Sequence, residues 1–264
     1  MFPTIFEFAP FTLFGLEIGP FALHAYGLFV AMGFLLGISW SMREAREAGL
    51  DPDLLSDLGF YIILGAILGA RILYVLINPA YFWDNPLEVF MFWKGGLVFS
   101  GGAILAASLA LWFLKKKRQD IWRWMDVLAP GIGLGEAIGR IGCMAAGCCY
   151  GASCDLPWAV TFSNPESLAP LFTPLHPTQF YHSLAGLCCF IILMAVKPHI
   201  RRTGGLMAVF LVFFGAFRFL IELFRADYRG GAGALSITQI IALGAVGLGL
   251  FPAQIGRASC RERV

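Results

Sequence analysis

The sequence predicts an all-α protein that crosses a membrane several times, and three observations lead to this prediction. Of the 264 residues, 58% are hydrophobic and only 14% are charged, whereas soluble domains contain about 25% charged residues. Phenylalanine is frequent, at 25 residues, which suits helices that face lipid. The apolar residues also form runs long enough to cross about 30 Å of hydrocarbon as helices. We therefore expect a single membrane domain over residues 1–253.

We predict seven transmembrane helices, one for each apolar run. The fourth run is rich in glycine and carries two charged residues, and the fifth is short. The seven runs cover residues 23–41, 56–78, 96–114, 127–146, 180–196, 205–223 and 235–253.

The distribution of positive charge predicts the orientation, because lysine and arginine collect in cytoplasmic loops. With the N-terminus outside and the C-terminus inside, the outer segments hold only Lys94, Arg225 and Arg229. The inner loops then hold ten such residues: Arg43, Arg46, Lys115, Lys116, Lys117, Arg118, Arg123, Lys197, Arg201 and Arg202. This orientation puts the loop 147–179 at the outer face of the membrane.

The two ends of the chain differ in composition from the apolar runs between them. Residues 254–264 read as the translation of a common sequencing-adapter sequence, so we expect them not to be native and exclude them. Their exclusion leaves six cysteines and implies that the native C-terminus is missing. The first 24 residues contain no lysine or arginine, so no cleavable signal peptide is predicted.

Three arginines lie inside predicted membrane spans: Arg71, Arg140 and Arg218. A charge at membrane depth costs roughly 2.5–3.5 kcal/mol on insertion scales unless it faces a partner or a cavity. Three such cations in a small membrane protein predict a site for an anionic ligand, for which a phospholipid head group is the obvious candidate.

Two of these arginines lie four residues from a glutamate. Glu136 with Arg140, and Arg218 with Glu222, share a helix face and can pair. Such pairs either join helices within the membrane or hold the arginines in place for phosphate oxygens. The presence of two pairs together with Arg71 favours the anion site.

Glycines and one tyrosine have a structural and a functional interpretation. Gly101 and Gly102 follow Ser100 in the stretch 94–102, KGGLVFSGG. Small residues usually let membrane helices pack closely, but they also let a lipid head group reach the backbone. Tyr26 is interpreted either as part of an interfacial aromatic belt or as a hydroxyl that contacts phosphate.

Four cysteines fall within twelve residues: Cys143, Cys148, Cys149 and Cys154. A zinc site that includes His176 or His182 is conceivable, but the spacing contains no C-x-x-C pair and adjacent cysteines rarely both bind one ion. We therefore predict neither a metal nor a cofactor. A disulfide fits an outer, oxidising compartment better. A catalytic thiol among the first three is a further alternative.

Six segments, in order, resemble the prolipoprotein diacylglyceryl transferase family from about residue 18 to residue 252. They are HAYGLF at 24–29, GARILYVL at 69–76, KGGLVFSGG at 94–102, GRIGCMAAGCCYG at 139–151, HPTQFY at 176–181 and GAFRFLIELFR at 215–225.

The resemblance implies a seven-helix enzyme of the bacterial inner membrane with its active site toward the outer side. It implies transfer of diacylglyceryl from phosphatidylglycerol to the lipobox cysteine of a prolipoprotein signal peptide, with release of glycerol phosphate. The expected partners then include membrane lipid and no nucleic acid. By position, Arg140 and Arg218 would hold the phosphate, and the other matching site positions are Tyr26, Gly151, Gln179, Glu222 and Arg225.

The chain also departs from the family at several positions. Ser100 replaces a histidine, Cys143 an asparagine, Cys148 an acidic residue, His182 an acid and Phe214 a tyrosine. His182 or Glu222 is a candidate replacement base. Three interpretations follow. The chain is a transferase with altered catalytic residues, a related enzyme that transfers a lipid group to another acceptor, or a non-catalytic protein that binds or translocates phospholipid. In one version of the second interpretation, a cysteine of the enzyme itself carries the group covalently.

Overall fold

A computed structural model describes residues 3–8, 11–13, 16–18, 21–84, 86–91, 96–226, 231–232 and 235–261. The fold is mostly helical. Its helices are α1 (Ala25–Glu47), α2 (Pro52–Ile77), α3 (Pro79–Asp84), α4 (Phe99–Lys116), α5 (Ile121–Ala146), α6 (Thr178–Val196), α7 (Gly205–Glu222) and α8 (Ile237–Arg261). Short 3₁₀ turns occupy Pro86–Phe90 and Lys197–His199.

Five of the described helices are long and apolar enough to cross a membrane: α1, α2, α5, α6 extended to His199, and α7. The apolar part of α8, Ile237–Leu250, is shorter. The predicted third span, 96–114, overlaps α4, which ends in Lys115 and Lys116 and is not one of these five helices. The chain is therefore a polytopic membrane protein. Lys94 and Arg229, which entered the charge count, lie outside the described residues.

In the described part of the chain, four antiparallel strand pairs connect or precede these helices, and the seven apolar runs did not predict them. Each pair is a two-stranded ribbon at a loop. They are β1 (Thr4–Phe8) with β4 (Phe21–His24), β2 (Phe11–Leu13) with β3 (Leu16–Ile18), β5 (Val160–Thr161) with β6 (Pro174–Leu175), and β7 (Gly231–Ala232) with β8 (Leu235–Ser236).

The chain divides into two compact units. Unit 1 comprises Met1–Ser41 and Met125–Val264, and unit 2 comprises Met42–Trp124. In unit 2, α2 and α4 pack backbone to backbone, since a Cβ added at Gly102 would lie 2.6 Å from the Ala66 carbonyl oxygen. Gly101 meets Gly69 in the same way. Of the two interpretations of these glycines, close helix packing is the one that these contacts support.

In unit 1, glycines let α1 and α5 pack backbone to backbone in the same way. A Cβ added at Gly33 would lie 2.7 Å from the Gly135 oxygen, and one at Gly37 would lie 2.7 Å from the Gly131 oxygen. Without a hydrophobic driving force between helices in lipid, such close approach supplies the packing energy. It holds α1, which carries Tyr26, against α5, which carries Arg140.

Helices α5, α6 and α7 share a buried apolar cluster of Ala129, Cys189, Leu193, Leu206, Met207 and Phe210. Asp126 of α5 fixes the start of α7, because its carboxylate accepts from the backbone N–H groups of Gly204 at 2.6 Å and Met207 at 2.9 Å. A carboxylate at this end also complements the helix dipole. These contacts set where Arg218 and Glu222 lie along α7.

The segment after α5 is tied back to the end of α7 through Gly151. Its N–H donates to the His176 oxygen at 3.0 Å, and it forms an antiparallel bridge with Arg225. A Cβ on Gly151 would lie 2.6 Å from both the His176 Cβ and the Phe224 oxygen. A residue without a side chain is therefore needed where the three segments meet.

We predict that Gly151→Ala destabilises the protein by about 1–3 kcal/mol, because the added methyl group overpacks this crossing. Thermal unfolding in detergent measures the change. Gly139→Ala is the matched control, since a Cβ there meets nothing within 4 Å and alanine favours a helix by up to about 1 kcal/mol. Equal midpoints for the two variants would contradict the tight crossing at Gly151.

Candidate functional site

Three arginines of unit 1 form one electrostatic cluster. Arg218 on α7 lies close enough to Arg140 on α5 and to Arg225, just after α7, for their charges to interact. The same three cations act on His182 of α6. Like charges in an apolar protein repel strongly, so the cluster needs negative or polar partners. The structure provides a different partner for each arginine.

Arg140 pairs with Glu136, as the sequence spacing predicted. Its Nε donates to Glu136 Oε1 at 2.7 Å, and the side chains are only 17% and 25% exposed. Both lie on α5, one turn apart, so the pair is set by the helix itself.

Arg218 and Glu222 do not form the direct pair that their spacing predicted, and each has another contact. Arg218 Nη1 lies 3.3 Å from His182 Nε2, and because the guanidinium can only donate, the imidazole accepts. Glu222 Oε2 instead lies 3.9 Å from Arg225 Nε. Arg218 is thus the arginine of this cluster whose closest described partner is a neutral group.

Glu222 is held by hydroxyl groups from the start of α8. Its Oε1 accepts from Ser236 Oγ at 3.2 Å and from Thr238 Oγ1. These two residues were not among the site residues predicted from the sequence. Their position in the sequence was only a weak indication, since hydroxyl residues at the start of a helix usually serve as N-terminal caps. They fix the carboxylate that neighbours Arg225.

The HPTQ segment holds the cysteine-rich turn in place. Thr178 Oγ1 donates to the Cys149 oxygen at 2.6 Å, and Gln179 Nε2 donates to the Cys148 oxygen at 2.8 Å. Both side chains are almost fully buried, at 0% and 1% exposed. Gln179 Oε1 has no hydrogen-bond partner among the described residues, so one buried acceptor remains for a ligand.

Three cysteines converge beside the arginines, which their spacing did not predict. The Sγ atoms of Cys143, Cys148 and Cys149 all lie within 4.8 Å of one another. The six cysteines whose side chains are described form no disulfide. Hydrogen bonds from Cys143 and Cys148, together with the Arg225 guanidinium, lower the pKa of the Cys149 thiol below its ordinary value.

A cavity of about 470 Å³ opens next to the three cysteines, with Cys148 on its wall. All of its lining residues belong to unit 1. Tyr26, half exposed, lies within electrostatic range of Arg140 and of all three thiols. The cavity is lined by Pro3, His24, Tyr26, Ala146, Cys148, Glu166 and Leu168. Its size matches the lower range of small-ligand pockets.

The remaining predicted site residues lie in unit 2. Arg71 donates to backbone oxygens of Val89 at 3.0 Å, Gly96 at 3.2 Å and Glu88. Its guanidinium also lies over the Tyr74 ring. These contacts give Arg71 a role in holding the segment before α4. Ser100 is exposed in the first turn of α4.

Comparison with known proteins gives a family and several full-length relatives. The family model described as "Prolipoprotein diacylglyceryl transferase" matches residues 14–253. A protein of Clostridium tetani is 32% identical over 257 residues, covering 97% of this chain and 98% of its own length. One from Bordetella parapertussis is 39% identical over 253 residues, covering 90% and 94%.

A third relative, from Trichormus variabilis, is 36% identical over 244 residues, covering 89% of this chain and 86% of its own length. All three relatives carry the name phosphatidylglycerol–prolipoprotein diacylglyceryl transferase. The resemblance found from six motifs is thereby confirmed over nearly the whole chain. This chain belongs to the prolipoprotein diacylglyceryl transferase family.

Proposed function

We propose that this chain transfers the diacylglyceryl group of phosphatidylglycerol to the lipobox cysteine thiol of a prolipoprotein and releases glycerol phosphate. The observation that carries the proposal is the cluster of Arg140, Arg218 and Arg225 in a polytopic membrane protein, near a cavity whose wall includes Tyr26, which is within electrostatic range of Arg140. Buried cations at membrane depth are expensive and are retained for function. The names of the relatives supply the reaction that such a cluster serves.

Arg218 and Arg140 are the residues we assign to the phosphate. The direct contact of Arg218 is with the neutral His182, so no carboxylate in contact offsets its charge. Glu136 orients Arg140 from one turn away. Guanidinium groups bind phosphate oxygens with two parallel hydrogen bonds. As the glyceryl–oxygen bond breaks, negative charge grows on the phosphate, and fixed cations stabilise it most in a dry site.

The other unit 1 residues position the lipid and the arginines. Gln179 Oε1 is a buried acceptor, which we assign to a hydroxyl of the glycerol head group. Glu222, fixed by two hydroxyl groups, orients Arg225. Tyr26 lies on the cavity wall next to Arg140. The reaction then forms a carbon–sulfur bond and breaks a carbon–oxygen bond, and the acceptor must react as its thiolate.

His182 is more useful to this reaction as an acceptor for Arg218 than as a base. Its Nε2 lone pair already faces the Arg218 guanidinium, and a proton placed there would lie against a cation. We therefore assign His182 to holding Arg218 in the direction of the phosphate.

For the membrane arrangement, we propose seven spans, with α4 and the apolar part of α8 added to the five long helices. Positive charge at the ends of α1 and α4, at Arg43, Arg46 and Lys115–Lys117, supports a cytoplasmic location for those ends. The N-terminus and the arginine cluster then face the outer side of the bacterial cytoplasmic membrane.

The transfer reaction tests the proposal directly. Purified protein is given labelled phosphatidylglycerol and a lipobox peptide, and transfer should require the peptide thiol, so that a serine-for-cysteine peptide gives none. Arg140→Ala should lower the rate about 10²–10³-fold, the typical cost of losing one group that stabilises developing charge. Arg43→Ala is the matched control, because its exposed pair with Glu47 contributes little.

Unchanged transfer in Arg140→Ala would contradict the phosphate role. Absence of transfer in the unaltered chain, with phosphatidylglycerol still bound, would favour a different acceptor or a non-catalytic lipid role.

The role of His182 is tested by two substitutions. His182→Gln keeps an oxygen acceptor for Arg218 and should retain most activity. His182→Phe removes the acceptor, and the loss of one charge-assisted hydrogen bond predicts a decrease of about tenfold to a hundredfold. Equal, complete loss of transfer in both variants would indicate proton transfer by the imidazole instead.

A further inference from the structure

The convergence of three thiols is the feature that the phosphate-binding cluster does not explain. Zinc binds thiolate sulfur at about 2.3 Å, so in a tetrahedral site the sulfurs lie about 3.8 Å apart. The Sγ atoms of Cys143, Cys148 and Cys149 are already within 4.8 Å of one another. Small side-chain rotations are enough to close the remaining difference.

The side chains of adjacent residues rarely converge, and the backbone shows how those of Cys148 and Cys149 do so here. Cys149 has a φ of 61°, a left-handed conformation that reverses the chain after Cys148. Such a conformation costs a non-glycine residue of order 1–3 kcal/mol and persists only where the surroundings impose it. The buried Thr178 and Gln179 side chains impose it by binding the two cysteine carbonyl groups. The thiol cluster is therefore held by the fold.

The surroundings suit a thiolate-bound metal ion. Three thiolates on one divalent cation carry a net negative charge, and cations nearby stabilise it. The Arg225 guanidinium contacts Cys149, and Arg140 interacts electrostatically with Cys143 and Cys149. Soft thiolate ligands favour zinc over the hard cations magnesium and calcium.

The site also has room for a fourth ligand. Cys148 belongs to the wall of the 470 Å³ cavity, together with Tyr26 and Glu166. Structural zinc sites are closed by four protein ligands, whereas catalytic sites have three and leave one position open. A cluster of three thiols, of which Cys148 reaches the cavity wall, matches the catalytic type.

We propose that Cys143, Cys148 and Cys149 bind one Zn²⁺ ion, which takes the acceptor cysteine of the prolipoprotein as its fourth ligand and holds it as a thiolate for the transfer. This inference rests on the proposed function for the identity of the acceptor. The metal ion would activate the acceptor thiol in a chain in which Ser100, a poor base, replaces the family histidine.

The proposed transfer needs no oxidant or reductant. The acceptor thiol releases its proton to water when it binds the metal, because a coordinating thiol is deprotonated. The sulfur then forms a bond to the terminal glyceryl carbon, and the bond from that carbon to the phosphate oxygen breaks. Glycerol phosphate leaves with the electron pair of that bond beside Arg140 and Arg218. The product thioether is a weak ligand and dissociates from the ion.

A covalent carrier role for one of the cysteines fits less well. Transfer of the glyceryl group to Cys148 or Cys149 would create a thioether, from which a second thiol would have to displace a thiolate. Phosphate is the better leaving group, so the first transfer would be downhill and the second would have no driving force. The metal ion activates the acceptor without such an intermediate.

Cobalt is the probe for the metal site, because a cobalt–thiolate centre absorbs in the near ultraviolet. The full chain, purified with a phosphine reductant, is titrated with Co²⁺ alone. We expect one equivalent to give a sulfur-to-cobalt band that Zn²⁺ abolishes. Cys148→Ser and Cys149→Ser should each weaken or shift the band, whereas Cys154→Ser should leave it unchanged because its thiol lies outside the cluster.

Absence of the band in the reduced, unaltered chain, or an unchanged band in both cluster variants, would overturn the proposed site. The role in transfer has its own readout. A lipobox peptide should shift the visible cobalt bands when it carries cysteine and not when it carries serine. Metal-free protein should lose transfer and regain it with one equivalent of Zn²⁺.

Full transfer by the metal-free protein would overturn the inference while the proposed transferase function stands. A thiol-dependent shift of the cobalt bands without any transfer by the zinc-loaded protein would support the metal site and count against the proposed function. The two claims can therefore fail separately.

Discussion

The interaction on which the rest of the site depends is the neutral contact between Arg218 and His182. Three like charges meet in an apolar protein, and two of them have a carboxylate as a direct partner. A carboxylate in contact with Arg218 as well would neutralise the cluster and weaken its attraction for an anion. An imidazole satisfies the hydrogen bond without adding negative charge. The positive potential of the site is thus preserved although every guanidinium has a partner.

The fold serves this arrangement by bringing distant segments to one place. Glycine contacts hold α1 against α5, and Asp126 fixes the start of α7. Gly151 lets the segment after α5 cross the end of α7 without a side chain between them. Arg140, which is far in sequence from Arg218 and Arg225, can therefore act with them on one ligand. The same crossing brings the cysteine-rich turn beside Arg225.

Much of this could be predicted from the sequence, because hydrophobic runs and charged residues within them are local signals. The helices, the buried arginines and the Glu136–Arg140 pair all follow from spacing along one element. The contact of Arg218 with His182, and that of Glu222 with Ser236 and Thr238, could not be predicted, because each joins different elements. Arg71 shows the same limit, since its role depends on which carbonyl groups the chain folds against it.

The cysteines illustrate the limit of spacing rules most clearly. Adjacent Cys148 and Cys149 argued against a shared ion, because neighbouring side chains usually diverge. The left-handed backbone at Cys149 and the two side chains from α6 that hold it reverse that expectation. Neither can be read from the sequence, since both depend on contacts across about thirty residues of intervening chain.

The most direct test of the account is an experimental structure with a non-hydrolysable analogue of phosphatidylglycerol bound. We predict that the phosphate lies in unit 1, with its oxygens about 2.7–2.9 Å from guanidinium nitrogens of both Arg140 and Arg218. His182 should still accept from Arg218 in that complex. A head group bound elsewhere, with the arginines contacting only protein atoms, would show that this cluster does not hold the phosphate.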